Sequence, residues 1–170
     1  MNIDAYTLAQ RFTGIKEIDG PMSNSQILSM LKLDTDWPED DSVPWCSAFV
    51  NYIAWLLRLP RSKSLRARSW LEVGHPININ DAKKGYDVVV IKRKESDPGP
   101  EVIKFAGHVG FFAGYEKYSY GMGKIYILGG NQSNSVTLNG YSYLRLLGIR
   151  RIYDEEPKFT MDNDNVIKMV

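Results

Sequence analysis

Apolar positions along this chain follow one rhythm before Gly85 and another after it. In the first part they recur at helical spacing. Residues 3–12, "IDAYTLAQRF", predict a short helix, and Gly14, Gly20 and Pro21 then mark a loop. Ser23-Asn24-Ser25-Gln26 has capping-box spacing, with Ser23 as the cap and Ile27, Leu28 and Leu31 as the buried stripe of a second helix. The acidic, proline-containing stretch 34–42, "DTDWPEDDS", reads as a loop. A third helix is expected to begin around Pro44, because proline suits the first helical position. Its apolar face is Phe49, Val50, Ile53, Ala54 and Leu57, and it ends before Pro60. Residues 64–72, "SLRARSWLE", predict a further short helix capped by Ser64.

Beyond Gly85 the apolar residues gather into short runs rich in β-branched and aromatic side chains. These are "YDVVVIK" (86–92), "GHVGFFAG" (107–114), "KIYILGG" (124–130) and "LGIRRIYD" (147–154), each bounded by glycine or polar turns. Helices first and strands afterwards indicate an α+β domain with an antiparallel sheet. One catalytic domain is expected over 1–155, with a polar C-terminal tail over 156–170. In that tail Val166, Ile167, Met169 and Val170 are the residues able to dock.

Composition narrows the classes. A chain of 170 residues with 44% hydrophobic and 24% charged residues is an ordinary globular domain able to bury a core. A formal net charge of +1 gives no electrostatic case for nucleic acid. One cysteine cannot form an internal disulfide, and two histidines with it are too few for a structural zinc site of the usual kind. The N-terminal residues lack a basic segment followed by an apolar run, and no apolar run approaches the roughly 20 residues that span a bilayer. Synthesis in the cytoplasm without a signal peptide or membrane insertion is the expectation, with a monomer as the oligomeric state.

The single cysteine lies in "VPWCSAFV" (43–50). A lone cysteine is usually a small buried hydrophobe. In a first helical turn, however, unpaired backbone N–H groups and the helix dipole favour a thiolate, and the same N–H groups can receive the oxyanion of a tetrahedral intermediate. A thiolate nucleophile needs a base. His75, in "VGHPIN", precedes a proline in an expected loop and reads as an exposed structural residue. His108, in "AGHVGFF", starts a strand and shares a face with Gly110 and Phe112. The imidazole then needs an orienting partner. Asn131 and Gln132, at the end of the following strand, could fill that role, and so could Asn134; the alternative for all three is a Gly-Asn turn.

The segments "DDSVPWCSAFVNY", "GHVGFFAG" and "IYILGGNQSNSV" together resemble the peptidoglycan cysteine peptidases and amidases of the CHAP and NlpC-type group. "GIKEIDGP–NSQILSML" and "ARSWLEVG" resemble a phage-lysin-like branch. The resemblance covers about residues 8–152. It implies a papain-like fold, with the cysteine's helix packed on an antiparallel sheet carrying the histidine. It also implies Cys46 as nucleophile, His108 as base and Asn131 as orienter. Trp45, Asp41 and Gln132 are the expected substrate contacts. Where many CHAP members carry a glutamate after the histidine strand, and many NlpC-type members a second histidine, this chain has Gly129 and Gly130. The family's Gly-Asp at the first strand is Gly85-Tyr86-Asp87 here, one residue longer. Some CHAP relatives bind calcium ahead of the cysteine, and Asp34, Asp36, Asp40 and Asp41 are the residues that would supply oxygens. Their spacing is not that of an EF-hand, and no cofactor is the main expectation.

The function implied is cleavage of an amide in the peptidoglycan stem, or at its junction with the sugar, by a phage endolysin. A secreted antibacterial effector, with an immunity protein as partner, is the alternative on the same chemistry. Either acts on the wall after release or export. A non-catalytic wall-binding module and an acyltransferase are the rivals of other classes.

Overall fold

The computed structural model describes residues 3–118 and 123–153, together with the backbone of 159–161 and 167–169. Helix α1, Ala5–Gln10, is capped by Asp4, whose Oδ1 accepts from the Thr7 N–H at 2.7 Å. Helix α2, Ser25–Leu31, starts one residue later than the capping-box spacing predicts. Its cap is Asn24, whose Oδ1 accepts from Gln26 N–H at 2.9 Å, and the Asn24 amide itself is held by Asp41 at 2.7 Å. Helix α3 runs Cys46–Leu56, with Trp45 as its N-cap. Pro44 therefore lies just outside the helix rather than in its first turn.

The expected helix over 64–72 is a 3₁₀ helix, Ala67–Glu72. Ser64 is not its cap: the Ser64 Oγ accepts from the Arg66 N–H at 3.2 Å, and its carbonyl is taken by α3.

Six strands follow: β1 His75–Ile77, β2 Asp87–Ile91, β3 His108–Lys117, β4 Gly123–Gly129, β5 Thr137–Ser142 and β6 Leu146–Arg151. They form one antiparallel sheet in the order β1-β6-β2-β3-β4-β5. The α+β class and antiparallel sheet are as the sequence predicts. Strands β1 and β5 are additions. His75 thus sits at the edge of the sheet and not in a loop, on a three-residue strand whose Pro76 suits an edge. Strand β5 lacks a β-branched run, since "TLNGYS" alternates exposed and half-buried positions. In the stretch expected to be a tail, β7 (Phe159–Met161) pairs antiparallel with β8 (Ile167–Met169). Val166 and Val170, two of the four residues expected to dock, lie outside the described residues.

Alternation along the strands separates two cores. Val88, Val90, Val109, Phe111 and Leu128 face the helices and pack with Phe49, Val50 and Ile53 of α3. Val89, Ile91, Phe112, Ile125, Ile127 and Ile149 form a second cluster. Burying Phe49 and Ile53 completely contributes roughly 1.5–3 kcal/mol each, which anchors α3 on the sheet. Gly110 permits the β3–β4 approach, because a Cβ there would lie 2.5 Å from an Ile127 methyl. Among the described residues no helix is long and apolar enough to cross a membrane.

Candidate active site

Strand register brings one end of the sheet to the start of α3. His108, the first residue of β3, pairs with Ile91 at the end of β2, and Ile91 in turn pairs with Leu146 at the start of β6. The turn after β4 closes over the same end. It reverses through Ser133 and Asn134, both at positive φ, with Gln132 and Ser135 exchanging backbone hydrogen bonds at 2.9 and 3.3 Å. This is the pattern of a type I′ turn.

Trp45 locks α3 to that turn. Its side chain is fully buried and its indole N–H donates to Glu17 at 2.7 Å. A Cβ on Gly130 would lie 2.4 Å from the Trp45 ring, so only glycine lets the chain pass there. The segment before α2 holds the turn from its other side, with Glu17 N–H on Asn134 O at 2.9 Å and Val136 N–H on Ile15 O at 2.8 Å. Trp45 is therefore a buried anchor and not the substrate contact expected from sequence.

Cys46 is the first residue of α3 and 4% exposed. Burial pushes its thiol up from the ordinary value, against the pull of the Val109 and Ser47 backbone N–H groups and the Arg93 cation. The sulfur thus rests against the amide that follows His108. The helix start alone leads one to expect a ready thiolate; the dry surroundings hold the proton on sulfur instead.

His108 is 9% exposed, and its Nε2 lies 3.1 Å from Gln132 Oε1. The Gln132 amide has one orientation available. Its Nε2 donates to the Thr137 carbonyl and to the Ile127 carbonyl at 3.3 Å, and its Oε1 accepts from Tyr141 Oη at 2.7 Å. Burial pushes the Tyr141 phenol up, so it remains a donor at neutral pH. Oε1 therefore presents an acceptor to the imidazole, Nε2 of neutral His108 carries the hydrogen, and Nδ1 is the basic nitrogen. Burial lowers the His108 pKa to about 4, helped by the Arg145 and Arg93 cations and opposed by Gln132. At neutral pH the site holds a thiol and a neutral imidazole.

Gln132, expected as a substrate contact, is the residue on His108. Asn131, expected as the orienter, is not. It occupies a left-handed position at φ 56°, which asparagine tolerates. Gln132 is 3% exposed and saturated by bonds within the fold. Asp41 is likewise turned inward, 5% exposed, and its Oδ2 accepts from Ile18 and Asn24 N–H groups at 3.1 and 2.7 Å. It ties two loops together and offers no face to a substrate.

Asp34 and Asp40 of the acidic loop each have a partner of their own. Asp34 pairs with Arg61 at 2.8 Å, and Asp40 accepts from the Ser42 backbone N–H and hydroxyl. Among the described residues no three His, Cys, Asp or Glu side chains group as a metal centre would need. His75 lies on β1, three strands from β3, which at the usual interstrand spacing is about 14 Å. Asp87 of the displaced Gly-Tyr-Asp is buried under a bidentate pair with Arg151 at 2.9 Å. It holds β2 to β6.

Two supports of the site carry no signal in the sequence. Tyr141 comes from the unforeseen β5. Arg68, fully buried in the 3₁₀ helix, donates to the carbonyls of Pro98, Gly99, Val102 and Ala106 at 2.7–3.2 Å and lies 5.1 Å from the Phe105 ring. It thereby fixes the loop that delivers His108. No protein-family model matches the chain, and no curated protein matches it.

Proposed function

We propose that the protein is a cysteine-dependent peptidoglycan hydrolase with a papain-like arrangement of helix and sheet. The observation that carries this reading is the Gln132–His108 pair together with the only cysteine, whose thiol at the buried start of α3 meets the backbone N–H of Val109, the residue after His108. A merely structural histidine would not need its tautomer fixed by an amide that is itself held at three points. The wall as substrate, and an endolysin as the biological form, rest on the sequence resemblance. The secreted effector remains the alternative.

In this reading the Cys46 Sγ attacks the carbonyl carbon of an amide while its proton passes to His108 Nδ1. Backbone N–H groups at the start of α3 stabilise the oxyanion. Collapse breaks the C–N bond, and the imidazolium gives its proton to the departing amine, leaving a thioester on Cys46. Water then attacks the thioester. His108 takes the water's proton and returns it to sulfur as the acid product leaves. Because the resting pair is neutral, the proton moves with the attack and not before it. Gln132 keeps the hydrogen on Nε2, which leaves Nδ1 as the proton acceptor throughout.

Digestion of purified peptidoglycan with mass spectrometry of the fragments tests the reading. New amine and carboxyl ends at one amide are expected with the wild type and absent with Cys46→Ala. Wall left intact by the folded wild type, or equal cleavage by both proteins, would overturn it.

A further inference from the structure

Two arginines flank this site, and among the described residues the outer nitrogens of neither take part in a hydrogen bond or ion pair that holds the fold. Arg93 follows β2 and is exposed; its Nε donates to the carbonyl of Gly107, the residue before His108, at 3.3 Å. Arg145 precedes β6 and is half-buried; its Nε donates to the carbonyl of Lys92, the residue before Arg93, at 2.8 Å. The register that pairs Ile91 with both His108 and Leu146 places these two residues at the catalytic end of the sheet. The Arg145 guanidinium also lies 5.0 Å from the centre of the Tyr141 ring, whose own centre is 5.6 Å from that of His108.

An exposed arginine is usually a solvated charge contributing little. These two differ in three respects. Each is anchored through Nε on a backbone carbonyl, so the side chain loses little further freedom when a ligand binds. Neither is in an ion pair with an acidic residue among the described residues. Both cations reach the catalytic groups electrostatically, Arg93 acting on Cys46 and both on His108. They make the proton on His108 harder to hold, which works against the base once it is charged. A substrate anion seated on the pair would remove that penalty.

We infer that Arg93 and Arg145 form a carboxylate subsite, so that the substrate carries a free carboxylate close to the amide being cut. Each guanidinium keeps two outer nitrogens for a planar, two-oxygen acceptor, a match that a lysine ammonium lacks. Occupancy would place the negative charge beside the imidazolium formed during attack. This inference rests on the reading of Cys46 and His108 as the catalytic pair, and it makes an anionic stem peptide the preferred substrate over one whose carboxylates are amidated.

The test measures binding, so that turnover is not required. Soluble stem peptides from purified wall are prepared with free carboxylates, or with the carboxylates converted to carboxamides by carbodiimide and ammonia. Both are titrated calorimetrically against Cys46→Ala protein. The free form should bind at least about tenfold more tightly, with the gap narrowing at high salt. Arg93→Gln and Arg145→Gln, added singly to Cys46→Ala, should each shrink the gap, and together they should erase it. Arg→Lys at either position should restore only part. Equal binding of the two peptide forms, a gap that survives both substitutions, or binding of neither form would overturn the carboxylate subsite. Failure there with Cys46-dependent wall cleavage intact removes this inference alone. Carboxylate-dependent binding with no cleavage by the wild type removes the hydrolase reading and leaves the subsite.

Discussion

Cys46 and Ser47 are neighbours on the first turn of α3, both buried and both carrying a small protic group, yet their surroundings are opposite. The Ser47 hydroxyl donates to the Ser64 carbonyl at 2.6 Å and accepts from the Trp70 indole N–H at 3.0 Å. One turn on, Asn51 bonds the same carbonyl and the Lys63 N–H, so this side of the helix is stitched to residues 62–70. The Cys46 sulfur instead meets backbone N–H groups beside a histidine whose basic nitrogen is not the one held. The structural polar groups here are saturated, whereas the proposed catalytic pair keeps hydrogen-bonding capacity in hand.

That contrast makes its strongest claim at Cys46. Replacing it with alanine should reduce wall lysis to background and leave the unfolding midpoint close to that of the wild type, measured by turbidity loss and thermal denaturation. His108→Gln should cost about 10²–10⁴ in kcat, the usual contribution of a positioned base. His75→Ala should leave kcat unchanged. Equal loss in the two histidine variants would show that the sheet end has been misread.

Acid should act through His108 in two ways. A base held neutral with a pKa near 4 predicts that activity persists to mildly acidic pH and falls as pH drops through about 4. The same shift affects stability. Because the unfolded chain takes up the proton near 6.5 and the folded one only near 4, this residue's stabilisation is full above 6.5 and is lost between 6.5 and 4. The loss is on the order of 3 kcal/mol from the size of the shift. Urea unfolding at pH 7 and pH 4.5 should give a steeper decline for the wild type than for His108→Gln. Parallel declines would contradict the burial argument.

The turn after β4 sharpens the comparison at smaller scale. Gln132→Ala should lower kcat by on the order of 10²-fold, less than the roughly 10⁴ reported by loss of a charged orienting partner. Asn131→Ala should leave kcat alone and cost about 1 kcal/mol of stability, because alanine is strained at positive φ. Ser47→Ala should do the reverse of the cysteine variant. It should lose about 1–3 kcal/mol by stranding the Trp70 N–H and the Ser64 carbonyl, with activity per folded molecule retained.

Much of this frame is legible from residue order. Helical spacing and β-branched runs locate three helices and four strands, because burial on one face or both imposes those periods. The lone cysteine at a helix start and the histidine at a strand start are legible for the same reason. What could not be read depends on register. Asn131 and Gln132 are adjacent and chemically alike. Only the type I′ turn at 133–134, which rotates one amide inward and leaves the other at a left-handed position, distinguishes them. Trp45 and Asp41 flank the thiol in sequence but point into the fold, since Glu17 and the Asn24 amide, both distant along the chain, take their polar atoms. Strand β5 and its Tyr141 leave no apolar trace, because burial alternates along it while Leu138 lies on the exposed face and Thr137 and Asn139 on the half-buried one.

The account stands most directly on a thioester forming at Cys46. Wild-type protein mixed with purified wall, quenched in acid within a turnover and digested for mass spectrometry, should yield the Cys46 peptide carrying an acyl fragment of the stem. Gln132→Ala should yield the same adduct more slowly, and Cys46→Ala none. Wall fragments released by the wild type with the Cys46 peptide always unmodified, and released equally by Cys46→Ala, would contradict it.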